Sequence, residues 1–142
     1  MYEHILLATD GSALSTPAVR TAVGLAKSLR AKLSAIYVVA PYANNATGAI
    51  SLLQGYRREL QKEAHRALAA FHAEARAQGV EVRGSSVVGR EPWQAILQAA
   101  RKQQCDLIVM ASHGRGGLAG LLLGSETAKV LTHSKIPVLV CR

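Results

Sequence analysis

The chain has 142 residues, 49% of them hydrophobic and only 4% aromatic, which predicts one domain with an aliphatic core over residues 1–142. Two cysteines exclude a disulfide framework, and the lack of a signal sequence or of about 18 uninterrupted apolar residues predicts a cytoplasmic protein with no membrane segment. The formal net charge of +8 at pH 7 favours anionic partners, but its sign does not discriminate between nucleic acid, phosphorylated ligands and anionic membrane surfaces.

The first third of the chain alternates between short apolar runs and a helical period. Ile5–Ala8 is too short for a helix and stops at the turn-forming residues Thr9–Ser12, which predicts a buried strand. A helix follows, with Pro17 in its first turn and apolar residues at helical spacing over 18–29. Leu33–Val39 is the second predicted strand.

The same alternation continues through the middle of the chain. Residues 41–48 have no period and predict a loop, after which apolar positions from Leu60 to Ala75 mark a long helix ending near Gly79. Val80–Val88 alternates in part and predicts a third strand. The pair Glu91-Pro92 then starts another helix.

The last third contains a fourth strand, a glycine-rich loop, a short helix and a fifth strand. The fourth strand is predicted over Leu107–Met110 and the glycine-rich loop from Gly114 onward. The short helix is predicted from Ser125 to about His133, and the fifth strand over Ile136–Val140. Strands that alternate with helices imply right-handed crossovers. We therefore expect an α/β fold with an open five-stranded parallel sheet and helices on both faces.

The glycine-rich loop is the first candidate site. Three of the four residues from Gly114 to Gly117 lack a side chain, so that backbone N–H groups can approach a ligand closely. The helix after Gly124 adds N–H donors and the positive end of its dipole, which suit a phosphate.

A second candidate is Asp10, whose carboxylate follows the first strand and can accept hydrogen bonds from a ribose hydroxyl or an adenine amino group. Ligands of open parallel sheets bind beyond the carboxyl ends of the strands. If the first and fourth strands are neighbours, Asp10 and Gly114 lie on opposite sides of one crevice. The two features together predict a nucleotide or phosphate site.

Other nucleotide motifs fit the sequence less well. No Gly-Lys pair occurs in the chain, which excludes a P-loop. Residues 114–119 match the dinucleotide form G-x-G-x-x-A, but they follow the fourth strand and not the first.

Direct nucleic-acid binding is an alternative from another class. The long helix carries a cluster of basic residues with acidic residues interleaved at helical spacing, namely Arg57, Arg58, Lys62 and Arg66 with Glu59 and Glu63. Few aromatic residues are available to stack on bases, and no recognition module is visible. A solvated helix face is the favoured interpretation, so nucleic acid is not an expected partner.

The chain resembles the nucleotide-binding universal stress proteins. Their signature is glycine, two residues, glycine, nine residues, glycine, then serine or threonine, and this chain has Ala111, Gly114, Gly124 and Ser125 at those positions. The resemblance extends from Ile5 to the final apolar strand. Ala111 departs from the signature, because a methyl group stands where the family has its first glycine.

The resemblance implies a Rossmann-like sheet with the strand order 3-2-1-4-5 and an ATP-binding sensor or regulator of the stress response. ATP would be accompanied by Mg²⁺ or Mn²⁺, with at most slow hydrolysis or autophosphorylation, for which Ser125 is one acceptor. The family also implies a homodimer formed by the last strand, through Val138 and Val140. The alternative is a universal stress protein with weak or no ATP binding that acts through protein partners or through nucleic acid bound at its basic surface.

The family's binding roles transfer position by position. Asp10 would hold the ribose or the adenine edge, Val38 would offer main-chain bonds to adenine, and Met110 and Ala111 would line the sugar. The phosphates would meet four backbone N–H groups, the Ser125 hydroxyl and, as our own addition, the Arg115 guanidinium. The four N–H groups are those of Gly114, Gly124, Ser125 and Glu126. The complete candidate set is Ala8, Thr9, Asp10, Val38, Met110, Ala111, His113, Gly114, Arg115, Gly124, Ser125 and Glu126.

Several candidates also have a purely structural interpretation. Asp10 can form an Asx-turn or cap the first helix, and Ser125 can act as the N-cap of the last helix. Arg115 can be a solvated charge, and the Glu126 side chain suits the first turn of a helix without any ligand. For His113 the sequence identifies no nucleophile or orienting carboxylate, so we expect no catalytic role.

Overall fold

The computed structural model describes residues 1–39, 50–114 and 123–142. The predicted loop over 41–48 and most of the glycine-rich loop, including Arg115, lie outside these ranges. The elements in chain order are β1 (His4–Thr9), a 3₁₀ turn (Ala13–Ser15), α1 (Thr16–Leu29), β2 (Lys32–Val39), α2 (Ile50–Ala77), β3 (Val82–Val88), α3 (Pro92–Lys102), β4 (Leu107–Ala111), α4 (Ser125–His133) and β5 (Val138–Cys141).

The strands form one parallel sheet in the order β3-β2-β1-β4-β5, which confirms the predicted class and strand order. β1 lies at the centre and pairs with β2 on one side and with β4 on the other. After β1, the chain adds β2 and β3 on one side of it and then crosses to its other side, where it adds β4 and β5. This reversal of direction is where an open sheet leaves a crevice.

Two apolar layers cover the sheet. Successive side chains of β1 point to opposite faces, so Ile5 and Leu7 join Phe71 and the α1 side chains in one cluster. Leu6 joins the other cluster, which contains Val130 of α4. All of these side chains except Phe71 are aliphatic, as the composition predicts.

The start of β3 differs from the predicted boundary by two residues. Gly79 adopts a φ of +71°, and Val80 N–H donates to the Ala75 carbonyl at 2.9 Å. These two residues therefore close the end of α2, and the strand begins at Val82 instead of Val80. β5 likewise begins two residues later than predicted, at Val138.

The described cysteines are both free, as predicted: Cys105 is buried and Cys141 half-buried. Burial, with a smaller contribution from the nearby Asp106 carboxylate, raises the pKa of the Cys105 thiol to about 11. Within the described ranges, no helix has the length and apolar character needed to cross a bilayer.

The turn after β1 depends on Gly11, and we expect Gly11→Ala to lower the free energy of unfolding by about 2 kcal/mol. The residue has a φ of +73°, and an added Cβ would lie 2.6 Å from the Ala67 Cβ of α2. Urea denaturation followed by circular dichroism measures the change.

The matched control is Gly24→Ala in α1, where an added Cβ meets nothing within 4 Å. This substitution should raise stability by roughly 0.5–1 kcal/mol, because alanine has the higher helix propensity. Equal stability of the two variants would contradict the role assigned to Gly11.

Candidate functional site

A cleft of about 390 Å³ opens at the carboxyl ends of the central strands. Its floor comes from the ends of β1, β2 and β4, and α2 and the first turns of α3 and α4 form its sides. Side-chain and backbone atoms of both predicted features, Asp10 and Gly114, line it. We call it the carboxyl-end cleft.

Asp10 forms an Asx-turn, which is the structural role that the sequence predicts for it. Its Oδ1 accepts hydrogen bonds from the Ser12 N–H at 2.9 Å and from the Ser12 hydroxyl at 2.6 Å. Thr9 supports the same turn, since its Oγ1 accepts from the Gly11 N–H at 3.1 Å. The Asx-turn prediction is confirmed, and it fixes the direction of the carboxylate.

The other carboxylate oxygen of Asp10 faces Gly114. A Cβ added to Gly114 would lie only 2.9 Å from Asp10 Oδ2, so any side chain at position 114 would push against the carboxylate. The two residues meet because β1 and β4 are parallel neighbours, with Ala8 paired with Met110. Asp10 therefore combines the turn role, through Oδ1, with a position beside the glycine.

The N-terminus of α4 reaches the same cleft. Gly124 is the N-cap and Ser125 the first helical residue, so the prediction of Ser125 as N-cap is wrong. The Gly124 N–H donates to the Ser112 carbonyl at 2.7 Å, so the prediction that this N–H meets a phosphate is wrong. No side chain caps the helix. The first-turn N–H groups have no acceptor within the helix and are suited to an anion.

His113 contributes a buried polar atom to the cleft wall. Its Nδ1 lies 3.1 Å from the Ser112 hydroxyl, whereas Nε2 is buried without a hydrogen-bond partner among the described residues. Buried polar atoms in native proteins are nearly always hydrogen-bonded. Because Nε2 is closed to solvent, it offers no contact to a ligand in the open cleft.

Ala111, the residue that departs from the family signature, is the last residue of β4 and lines the cleft. Its side chain packs against the apolar cluster of the α1 and α2 face, and its carbonyl accepts a hydrogen bond from Thr127 Oγ1 at 3.0 Å. Strand backbone suits alanine, so the methyl group needs no special conformation.

Glu126 has the structural role that its place in a first helical turn predicts. Its Oε2 accepts a hydrogen bond from the Trp93 N–H at 2.9 Å, at the start of α3. Its Oε1 lies 3.4 Å from Lys129 Nζ. The carboxylate thus joins the N-terminal ends of α3 and α4.

The charges along the cleft are unevenly distributed. Its described lining contains the carboxylates of Asp10, Glu63 and Glu126 and no lysine or arginine. In the part of the chain that the structure describes, no three His, Cys, Asp or Glu side chains are grouped so as to hold a metal ion. A phosphate bound near the described residues would therefore be held by backbone N–H groups.

Most of the predicted set lines the cleft. The residues that do so are Ala8, Thr9, Asp10, Val38, Met110, Ala111, His113, Gly114 and Glu126. Gly124 and Ser125 do not line it; they lie at the start of α4, directly before Glu126 and Thr127, which do. Arg115 lies outside the described residues.

The sequence interpretation missed one wall of the cleft. Tyr56, Leu60 and Glu63 of α2 line it, as does Tyr37 of β2. The three helix residues are spaced by four and three positions, which places them on one face of a helix. That spacing is visible in the sequence, but the packing of α2 over the end of β2 is not.

Comparison with known proteins agrees on one family. The model of the universal stress protein family matches residues 1–142. The universal stress protein YxiE of Bacillus subtilis is 34% identical over 149 residues, which cover all of both chains. The structure of the universal stress protein UspA from Lactobacillus plantarum superposes with a TM-score of 0.83 at 27% identity, covering 99% of this chain and 98% of the other.

A further solved structure is a universal stress protein in complex with cAMP. It is 29% identical to this chain and superposes with a TM-score of 0.74, and the match covers 99% of this chain and 97% of the other.

We expect Glu126→Ala to lower the free energy of unfolding by about 1 kcal/mol, because the Trp93 N–H at the start of α3 loses its acceptor. Glu126→Gln keeps an acceptor oxygen and should cost less than about 0.5 kcal/mol. Thermal and urea denaturation measure both values.

The matched surface control is Glu59→Ala, which removes only the exposed ion pair with Lys62 at 3.7 Å. Exposed pairs contribute little, so the expected change is below about 0.5 kcal/mol. If Glu126→Ala and Glu59→Ala were equally mild, the link between α3 and α4 would carry no stability.

Proposed function

Because the chain belongs to the universal stress protein family, we propose that it binds ATP in the carboxyl-end cleft and acts as a nucleotide-dependent sensor or regulator in the stress response. The observation that carries the proposal is the apposition of the Asp10 carboxylate and Gly114, beside the uncapped start of α4. It offers an acceptor for hydroxyl groups next to donors for phosphates.

Each part of the nucleotide has chemically suitable neighbours in the proposal. Asp10 Oδ2 accepts from the ribose hydroxyls, and the backbone at Val38 bonds the adenine edge. The backbone N–H groups of Gly114, Ser125 and Glu126 meet the phosphates.

The cAMP complex of the relative supports an adenine nucleotide as the ligand class, since that protein shares the fold over nearly its whole length. Within that class we propose ATP, on the basis of the signature residues Gly114, Gly124 and Ser125. Mg²⁺ or Mn²⁺ would accompany the phosphates as part of this proposal. The proposal assigns no catalytic residue, and the cytoplasmic location stays a prediction from the sequence.

We also propose that the protein is a homodimer formed by β5. This strand is at one end of the sheet, so its outer edge has no strand partner among the described residues. Apolar residues lie along and near it: Leu139 is 37% exposed, and Leu131 of α4 is 41% exposed. Pairing with β5 of a second copy would satisfy the edge and cover these side chains.

The nucleotide proposal is tested by identifying any copurified nucleotide and by titrating ATP into wild type and Gly114→Val in a calorimeter. We expect the variant to bind at least about tenfold more weakly, a loss of about 1.4 kcal/mol, because its side chain would displace the Asp10 carboxylate. Gly24→Ala, remote from the cleft, should bind as wild type does. No copurified nucleotide and no heat in wild type would refute the proposal.

The same titration applied to Ala111→Gly tests the departure from the signature. The Ala111 methyl group packs toward the core cluster, so restoring glycine should change the affinity by less than about fivefold, or about 1 kcal/mol. A gain well beyond this would mean that the methyl group crowds the nucleotide.

For the dimer, we expect Val140→Lys to give monomers in size-exclusion chromatography with light scattering, because a charge on each β5 would face its copy. Leu139→Lys, at a more exposed position, should act in the same way. The control is Val88→Lys on β3 at the opposite edge, where the side chain is 71% exposed. Dimers that persist in both β5 variants would exclude this interface.

A further inference from the structure

A second, larger concavity lies at the opposite end of the sheet, where the strands begin. Its volume is about 630 Å³, and its floor contains His4 of β1 and Ser34 of β2. It is bordered by the end of α1, the start of β2 and the connection from α2 to β3. We call it the amino-end basin. The length of β1 separates it from the carboxyl-end cleft by roughly 17 Å.

The basin is strongly basic. Among the described residues that line it are four cationic side chains, namely Lys27, Arg30, Lys32 and Arg83, against one carboxylate, that of Glu81. All four cations are exposed, and none forms an ion pair with another described residue. Like charges gathered in one concavity repel each other, and a multivalent anion would relieve that repulsion.

Helix-end electrostatics explains only half of this charge. Lys27 lies in the last turn of α1 and Arg30 is its C-cap, where cations compensate the negative end of the helix dipole. Lys32 and Arg83 are strand residues, so no helix dipole accounts for them. They are the residues that point to a ligand.

The strand register places Lys32 and Arg83 together. Arg83 pairs with Ser34 across β2 and β3, and Lys32 is two residues before Ser34 on the same face. Their Cα atoms are therefore roughly 8 Å apart, within reach of one phosphate group for two long side chains. The polar groups in the floor are hydrogen-bonded to protein atoms, since His4 Nε2 lies 2.9 Å from Ser34 Oγ and His4 Nδ1 lies 3.0 Å from the Gln103 carbonyl oxygen.

We propose that the amino-end basin binds a compact, phosphate-bearing small molecule with two or more negative charges, independently of the nucleotide site. Its volume is in the range of small-molecule sites, roughly 300–1,000 Å³. Arginine and lysine together suit phosphate oxygens. Among the described lining residues the only aromatic ring is that of His4, which is held in the floor by hydrogen bonds at both ring nitrogens, so the recognised group is the anion and not a stacked base.

The test is a titration of the ¹⁵N-labelled protein with inorganic pyrophosphate at low salt, followed by NMR. We expect saturable shifts of the Ser34, Gly79 and Gln103 amides. In Lys32→Gln/Arg83→Gln these shifts should require at least tenfold more pyrophosphate. Both substituted residues are exposed, so the variant should fold, and its ATP titration should match wild type, which separates this proposal from the nucleotide proposal.

The matched control is Arg57→Gln/Arg58→Gln on the exposed part of α2, which removes the same amount of charge. It should retain the wild-type pyrophosphate affinity within twofold. Equal weakening in both double variants would show general attraction to a basic protein and overturn the proposal. Shifts confined to Gly114, Gly124 and Ser125 would also overturn it, as would basin shifts caused by a single-stranded oligonucleotide but not by pyrophosphate.

Discussion

The parallel pairing of β1 with both β2 and β4 is the constraint on which the rest of the structure depends. β1 is buried from Ile5 to Thr9. The strands that follow it are added first on one side of it, as β2 and β3, and then on the other, as β4 and β5. Neighbouring crossovers leave β1 and β4 toward opposite sides of the sheet, so their carboxyl ends cannot be closed by one connection. The cleft, the Asp10 turn and the start of α4 all follow from this arrangement.

The sequence predicted the class and the order of elements well, because short aliphatic runs such as Ile5–Ala8 and Leu107–Met110 have few alternatives to buried strands. The strand order was predicted from the family resemblance and not from these runs. The boundaries were less predictable. β3 begins late because Gly79 and Val80 complete the end of α2 through a hydrogen bond to Ala75, and periodicity does not report such bonds.

For the site, local chemistry was predictable and distant contacts were not. Asp10 and Gly114 could be brought together by the topology, and the Asx-turn could be expected from residue type. The bond from the Trp93 N–H to Glu126 joins residues 33 positions apart, and the wall from α2 depends on helix packing. The helix starts at Ser125 as predicted, and the alternative of Ser125 as N-cap is wrong because the short bond from the Gly124 N–H to Ser112 fixes Gly124 in that position.

The two ends of the sheet differ in electrostatic character. Lysine and arginine gather where the strands begin, whereas the described lining at the carboxyl ends contains carboxylates. Helices of a parallel α/β fold run opposite to the strands, so their N-terminal dipole ends point toward the carboxyl-end cleft. At both ends of the sheet, therefore, the side-chain charge has the opposite sign to the helix-dipole charge. At the cleft, an anion is attracted by backbone N–H donors and not by side chains.

The short bond between the Ser112 carbonyl and the Gly124 N–H, at 2.7 Å, clamps the two ends of the glycine-rich segment together at the edge of the sheet. A segment whose ends are already joined can change its length at a small entropic cost, about 0.6 kcal/mol for each doubling. This bond therefore fixes the start of α4 against the end of β4 whatever the length of the segment that follows Gly114.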